Sequence, residues 1–368
     1  MKNKNLFTAV ILSSILFMSC SDDDSNQQTV SEVKLFTSSN TSGMVSVMDL
    51  LPSMPTTQSF SVNSTDADGI HYYPSTDEII LASRSNNRLE AYGNVSEALM
   101  NNSSSLTLAY SSTSDFNNAR EIAVAGNTVI VTQDQAESNG NQNKLFVYEK
   151  TASGFTLQRT FEVDIKLWGI HFDGNNLYAI ADLTSDLVVY NNVLGNSSGP
   201  LVSSKRVTIE GLVRTHGITY SSVENTMVLT DVGAAASDSD GRVIVINNFS
   251  SVFSSTANNG TISMANQIRI YGPSSMLGNP VDVAYDNVTK MIYVAERANG
   301  GGRVLTFSVP STSGDYAPTM NRLEPGCLCS FLAEKIVFVF VLLVLKALAP
   351  VSLGFLYLGK YVLKVPFL

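Results

Sequence analysis

The sequence predicts an all-β fold, a β-propeller of six four-stranded blades, with seven blades as the alternative. A short alternating strand pattern recurs about six times along the chain. Its copies lie roughly 40 to 60 residues apart, which is the spacing of propeller blades. Only 15% of the residues are charged, against roughly 25% in an average domain. Ser, Thr and Asn take the place of the missing charged residues. This composition is typical of an exported β-rich protein rather than of a helical cytosolic enzyme.

Each copy of the pattern begins with a basic or polar residue, which alternating apolar residues follow. The strong copies lie at residues 88–92, 144–148, 186–190, 242–246 and 303–307, and a weaker one lies at 43–47. A β-branched strand precedes each strong copy, and an earlier strand opens with a Gly-Ile-like pair. A fourth strand usually follows, as at residues 105–110, 156–163 and 267–271. Four antiparallel strands per repeat make one blade.

The clearest copy of the repeat spans residues 280–307. Its first strand is PVDVAY, its second is MIYVAE, and the third strand ends at Phe307. This order resembles the NHL repeat, in which a GIAVD strand leads to LYVAD and GNNRV. The resemblance covers residues 31–323 and implies a propeller. The chain departs from the family at Ser83 and Gln133, where the family favours Asp.

The N-terminus has the features of an export signal that ends at a lipid-attachment site. Lys2 and Lys4 precede an apolar run, and LFMSC at residues 16–20 loosely resembles a lipobox. The resemblance implies a signal peptide over residues 1–19, cleavage before Cys20 and acylation of the Cys20 thiol. An ordinary secretory signal with an incidental cysteine is the alternative.

An acidic and polar tether is expected over residues 20–30. Its SDDD segment resembles the export signal that follows the lipid cysteine in surface lipoproteins of the Bacteroidota. The resemblance implies an outer-membrane lipoprotein that faces the periplasm or the cell surface. Acyl chains at Cys20 would make the membrane a partner. Nucleic acid is not an expected partner, because the net charge of −9 repels phosphate.

The two ends of the predicted propeller, residues 31–326, are expected to meet. The first blade lacks an innermost strand, and propellers commonly take it from the other terminus. The closing strand should therefore follow Gly326. There the composition changes, because residues 327–368 form a hydrophobic tail without Asn, Asp, Thr, Gln or Arg. A shifted reading frame or misjoined gene end, a membrane segment and a buried terminal element are the three interpretations. A metal or redox pair of Cys327 and Cys329 is not expected.

The predicted inner strands carry the polar residues that would face the central channel. The candidates are His71, His171, His216, Asp68, Arg120, Glu121, Trp168 and Asp282. Charged and aromatic groups that converge on a channel predict a ligand site, and histidine and carboxylate also bind metals. Because strand side chains alternate, packing between blades is the alternative for the histidines, and packing is also the favoured role of Trp168.

A second candidate site combines Asp231 with the loop SDSDG, which contains Asp238 and Asp240. Alternating Asp residues before a Gly can present oxygens to Ca²⁺ or another divalent metal. The loop lacks the spacing and the closing Glu of an EF-hand. A solvated turn is the alternative.

The sequence contains no GxSxG, HExxH or Walker motif. We therefore expect a noncatalytic binding or scaffold module, anchored to the outer membrane, that recognises a protein, glycan or small molecule. The alternative is a metal-dependent hydrolase or lyase, lactonase-like, with its site at the central channel. Propeller folds carry many unrelated functions, so the fold alone does not choose between the two.

Overall fold

Six antiparallel sheets form the blades of a propeller, as the repeat pattern predicted. The computed structural model describes residues 29–338. The blades belong to the compact unit Glu32–Lys335, and the second unit comprises Met1–Ser31 and Ile336–Leu368. The predicted signal peptide, Cys20 and nearly all of the tether lie outside the described residues.

In each of the first three blades, the strands follow one another from the channel outward. Blade 1 consists of β26 (Cys327–Phe338), β1 (Thr29–Ser39), β2 (Met44–Asp49) and β3 (Thr56–Ser61). Blade 2 consists of β4 (Ala67–Tyr73), β5 (Glu78–Ser83), β6 (Arg88–Tyr92) and β7 (Leu108–Ser111). Blade 3 consists of β8 (Ala119–Ala125), β9 (Thr128–Gln133), β10 (Lys144–Lys150), β11 (Phe155–Glu162) and the short β15 (Gly199–Pro200).

The remaining blades have the same order. Blade 4 consists of β12 (Leu167–Asp173), β13 (Asn176–Ala181), β14 (Asp186–Tyr190), β16 (Lys205–Ile209) and the short β20 (Thr261–Ile262). Blade 5 consists of β17 (Thr215–Ser221), β18 (Thr226–Asp231), β19 (Arg242–Asn247) and β21 (Ile268–Ile270). Blade 6 consists of β22 (Pro280–Asp286), β23 (Met291–Glu296), β24 (Arg303–Ser308) and β25 (Met320–Leu323).

Two short α-helices connect the third and fourth strands of blades 2 and 5. They are α1 (Val95–Met100) and α2 (Phe249–Ser255), and each follows an Asn with positive φ. Single 3₁₀ turns occur at Glu137–Asn139, Val193–Gly195, Met264–Asn266, Pro273–Ser275 and Asn299–Gly301. Within residues 29–338, no helix has the length and apolar character needed to cross a membrane.

Six hydrophobic clusters hold the blades together, and each cluster lies between two neighbouring blades. The second and third strands of the blades contribute most of the buried residues, and all six residues of β5 are buried. The cluster between blades 6 and 1 contains Leu35, Val281 and Leu328, so the ring is closed by residues from both ends of the propeller. Burial of such side chains stabilises the fold by roughly 1.5–3 kcal/mol each.

The ring closes at the place that the sequence predicted, because β26 begins at Cys327, directly after Gly326. It is the innermost strand of blade 1 and covers the edge of β1. The propeller therefore extends beyond the expected boundary at Gly326, and the first part of the hydrophobic tail is a buried terminal strand. Cys327, Leu328 and Cys329 are all buried. The tail beyond Phe338 lies outside the described residues.

A chain that ends at Gly326 should be less stable than one that ends at Phe338. The loss of β26 would expose the edge of β1 and empty part of two hydrophobic clusters. We expect a loss of about 3 kcal/mol or more in the free energy of unfolding, measured by denaturant titration. Equal stability of the two chains would show that β26 does not close the ring.

Candidate functional site

The inner strands of the blades share one irregularity, which aligns their residues around the channel. In β4, β8, β12 and β17 the pairing register shifts just before an isoleucine, and β22 has the corresponding shift. This alignment places His71 and His171 at the same position in their respective inner strands. His216 precedes Gly217 and so lies at the level of Trp168.

The inner strands approach one another most closely at the level of Gly69, Gly169 and Gly217. A Cβ atom on Gly169 would lie 2.3 Å from the carbonyl oxygen of His216. A Cβ atom on Gly69 would lie 2.5 Å from the backbone nitrogen of Ile122. Only glycine fits these contacts, which explains the recurring Gly-Ile pair.

The other three blades place polar side chains at this same level: Glu121, Asp282 and Cys329. The Sγ atom of Cys329 lies 3.1 Å from Oε2 of Glu121 and 3.3 Å from Oδ2 of Asp282. Oδ2 of Asp282 also accepts a hydrogen bond of 2.8 Å from the backbone N–H of Ser330. We call these three side chains the channel floor.

Burial disfavours the charged forms of the three channel-floor groups. Burial, together with the nearby Asp282, raises the pKa of Glu121 well above its usual value. Burial raises the pKa of Asp282 to about 6. Burial and the two carboxyl groups also raise the pKa of the Cys329 thiol. The thiol therefore remains a hydrogen-bond donor to the carboxyl oxygens.

The channel floor is also the place where a metal ion could bind. Its ligand atoms lie within 4.8 Å of one another, and no other group of three His, Cys, Asp or Glu residues in the described part of the chain does so. A divalent cation there would have to displace the protons of these groups.

A cavity of about 380 Å³ opens on one side of the channel floor. Polar and apolar groups contribute about equally to its walls, and His71 and His171 line them. Burial lowers the pKa of His71 to about 3 and that of His171 to about 4, so both rings are neutral at physiological pH. The His71 ring packs 4.2 Å from the ring of Phe331, between centroids. Of the predicted candidates, His71, His171, Glu121 and Asp282 thus line one cavity.

The remaining candidates lie on the opposite side of the floor. The ring of Trp168 stacks on that of His216, with centroids 3.7 Å apart and planes inclined by 8°. The guanidinium carbon of Arg120 lies 4.2 Å from the Trp168 centroid. Because Arg120 and His216 belong to the strands that flank β12, they pack against Trp168 from both sides. This environment matches the packing role favoured for Trp168.

Buried aspartates link four successive blades, blades 2 to 5, on this side of the floor. Each aspartate pairs with a basic group of the blade to which it belongs and with a basic group of the next blade. We call this network the charge ring. Its ion pairs are Asp68 with Arg84 and Arg120, Asp134 with Arg120 and Lys166, and Asp182 with Lys166 and Arg214. The ring of His216 adds a hydrogen bond of 3.0 Å to Asp182. Asp68 and Arg120 therefore have structural partners, so the geometry does not leave them free for a ligand.

The pKa values within the charge ring reflect these partners. Burial raises the pKa of Asp68 to about 6 against the opposing charges of Arg120 and Arg84. Burial alone would raise the pKa of Asp182, but hydrogen bonds from His216 and Arg214 hold it well below its usual range. Burial lowers the pKa of His216 to about 4, although Asp182 acts in the opposite direction.

The structure does not assemble the predicted metal loop. Asp231 is fully buried, where it accepts hydrogen bonds from the backbone N–H groups of Val213 and Arg214. Asp240 accepts a hydrogen bond from the N–H of Ala234, and Asp238 is exposed. Asp231 therefore stabilises the loop before β17, and the three carboxylates do not converge as a set of ligands.

Sequence reasoning missed several residues of the channel. Asp134 and Asp182 each follow the second strand of a blade directly, and this shared position was the available signal. Lys166 and Arg214 each directly precede the first strand of a blade, but only the ring geometry brings them to the aspartates. Cys329 was missed because its partners Glu121 and Asp282 lie far from it in sequence.

Comparisons with known proteins agree with the fold. No protein-family model matches the chain, and no curated protein matches it either. Among solved structures, a propeller in a nidogen–laminin complex superposes with a TM-score of 0.56 at 12% identity, over 83% of this chain and 98% of that one. A Bacteroides uniformis protein, proposed to be a 6-phosphogluconolactonase, superposes with a TM-score of 0.56 at 11% identity, over 82% and 99% of the chains.

A second protein proposed to be a 6-phosphogluconolactonase, from Bacteroides fragilis, gives a TM-score of 0.55 at 10% identity. It covers 82% of this chain and 98% of its own. The chain is a six-bladed propeller. At such low identity the comparisons establish the fold, and the fold hosts both binding proteins and enzymes.

Replacing Asp182 by Asn should destabilise the protein by about 3 kcal/mol, because Lys166 and Arg214 would lose their buried anion. Since the folded-state pKa of Asp182 is lowered, its contribution is present at neutral pH and is lost as the pH falls below about 4. Urea titrations at several pH values measure both effects.

The matched control is Glu224→Gln, which removes an acid from an exposed pair with Lys290. It should cost less than about 1 kcal/mol. Equal costs for the two variants would contradict a stabilising charge ring.

Proposed function

We propose that the protein is a noncatalytic binding module, anchored to the outer membrane by lipid at Cys20, whose central cavity takes a small organic ligand. The observation that carries this proposal is the cavity itself. The cavity of about 380 Å³ is open on one side and lined by both apolar and polar groups, and those of Glu121, Asp282 and Ser330 lie at its base. Concave pockets that combine apolar walls with a few convergent polar groups are typical of small-molecule sites.

The walls also offer hydrogen-bonding groups that the protein does not use. The side chains of His71, Thr219, Tyr285 and Asn287 line the cavity and make no hydrogen bond to any other described residue. All four side chains are partly exposed, so water can satisfy them until a ligand takes its place. They give the cavity specificity beyond shape.

The wall histidines argue for binding rather than for catalysis. A general base works best when its pKa lies near the working pH. The pKa values of about 3 and about 4 for His71 and His171 make them weak bases at neutral pH. They serve better as neutral hydrogen-bonding groups for a ligand.

A metal-dependent hydrolase is the second candidate, because the ligand atoms of Glu121, Asp282 and Cys329 converge within 4.8 Å at the base of the cavity. A divalent cation bound there would supply a Lewis acid to a carbonyl group. The structural neighbours proposed to be 6-phosphogluconolactonases make a lactone the first substrate to examine. Lactone turnover that Glu121→Gln abolishes would favour this candidate.

Filling the cavity should abolish ligand binding. Thr219 lies on the cavity wall, so a Trp at this position would occupy the space of the ligand. We expect Thr219→Trp to remove thermal-shift and calorimetric signals from small molecules that bind the full-length protein in a screen, with a loss of at least about tenfold in affinity.

The control for this change is Val223→Trp, which adds the same side chain at an exposed position 81% accessible to solvent. It should leave binding unchanged. Ligands that bind equally well to both variants would place the site outside the cavity and overturn the proposal.

The anchor is tested separately. Cys20→Ala should abolish incorporation of labelled palmitate and release the protein from the outer-membrane fraction, because a single thiol carries the acyl chains. The matched control is Ser21→Ala, which keeps Cys20 and should retain the label. Labelling that persists in the Cys20→Ala variant would show that the protein is not anchored there.

A further inference from the structure

Glu121 and Asp282 differ from the other buried acids of the protein. Seven buried acids in the described part of the chain form ion pairs with Lys or Arg: Asp68, Glu78, Glu90, Asp134, Asp182, Asp231 and Glu324. Glu296 instead accepts hydrogen bonds from four backbone N–H groups, and Asp286 accepts them from two. Glu121 and Asp282 also have no ion pair within residues 29–338 and accept backbone N–H hydrogen bonds from Ile122 and Ser330, but these two acids alone lie next to each other.

The two acids meet on the axis of the propeller. Glu121 belongs to blade 3 and Asp282 to blade 6, and these blades are opposite each other in a ring of six. Their carboxylate oxygens and the Cys329 sulfur lie within 4.8 Å of one another. Two adjacent buried carboxyl groups without a cation are costly for a fold. A positive charge on the axis would favour the ionised form of both carboxyl groups, which burial otherwise disfavours.

The cavity above this pair is suited to an organic molecule rather than to a bare ion. Its walls include Ile70, Ile170 and Phe331, which would bury an apolar body. His71 presents a ring without a hydrogen-bond partner among the described residues. A ligand with a charged end and an apolar body could therefore use both the floor and the walls.

We propose that the cavity is selective for an organic cation, a primary amine whose ammonium group binds Glu121 and Asp282 while its apolar body fills the walls. This inference rests on the proposed function, since it names the ligand class of the same cavity. An ammonium group has three donors, enough to reach both carboxyl groups at once. Charge-assisted hydrogen bonds of this kind are stronger than neutral ones. Neutral His71 and His171 do not repel the charge.

Phenethylamine and 2-phenylethanol provide a matched pair of probes, because they share the aromatic body and differ in the polar group. Calorimetric titration of the full-length protein should show phenethylamine binding about tenfold to a hundredfold more tightly than 2-phenylethanol. Glu121→Gln and Asp282→Asn should each remove most of this preference and leave the alcohol affinity nearly unchanged. Thr219→Trp should abolish binding of both probes.

Glu224→Gln is the control, because it removes an acid from the exposed surface and should leave the preference intact. Thermal melts verify that the floor variants remain folded, and the unchanged alcohol affinity verifies that the cavity is intact.

The outcomes separate this inference from the proposed function. Equal affinity for the two probes, still abolished by Thr219→Trp, would overturn cation selectivity and leave the cavity as the ligand site. Failure of phenethylamine to bind at millimolar concentration would also overturn it. If phenethylamine fails while Ca²⁺ or Zn²⁺ binds and Glu121→Gln abolishes that binding, the floor is a metal site instead.

Discussion

The structure depends on the close approach of six inner strands at one level of the channel. At this level Gly69, Gly169 and Gly217 leave no room for a side chain, because neighbouring backbone atoms lie where a Cβ would be. The other three blades must then fill the axis, and they do so with Glu121, Asp282 and Cys329. The same constraint that packs the blades thus creates a polar floor that divides the channel.

The two sides of this floor follow opposite physical rules. On one side, the buried aspartates are satisfied by basic groups of neighbouring blades, as Asp182 is by Lys166 and Arg214. Such a network resists the loss of any one partner, because each removal leaves a buried charge unpaired. On the other side, His71 and the floor acids lack partners of this kind. Stability is therefore concentrated on one side of the channel and unused binding capacity on the other.

Much of the fold was predictable because each blade repeats the same alternation of apolar residues. The Gly-Ile pairs marked the inner strands, and the missing strand of blade 1 correctly indicated closure after Gly326. The composition of residues 327–338 hid that strand, because an unbroken apolar segment suits a membrane or a core equally well. The limits of the propeller could not be set from composition, since pairing with β1 decides them.

The candidate site was predictable only in part, because sequence places residues on strands but not around an axis. The equivalent positions of His71 and His171 followed from the sequence repeat. The division of the eight candidates between the two sides of the channel floor could be seen only from the pairing register of the strands. Charge-ring partners such as Arg214 come from the next blade, which no local pattern reveals.

The six-fold arrangement also decides what the cavity can select. At the wall level above the floor, Phe331, His71 and His171 are large, while Ala123, Thr219 and Ala284 are small. The small residues of blades 3, 5 and 6 leave the space that forms the cavity, and the large residues of blades 1, 2 and 4 narrow it. A ligand must enter along the axis and so meets these walls before the acids. The shape of the ligand therefore limits entry before its charge can contribute to binding. A bare ion would gain no binding free energy from the walls, whereas a molecule with an apolar body and a cationic end would gain it from both the walls and the floor.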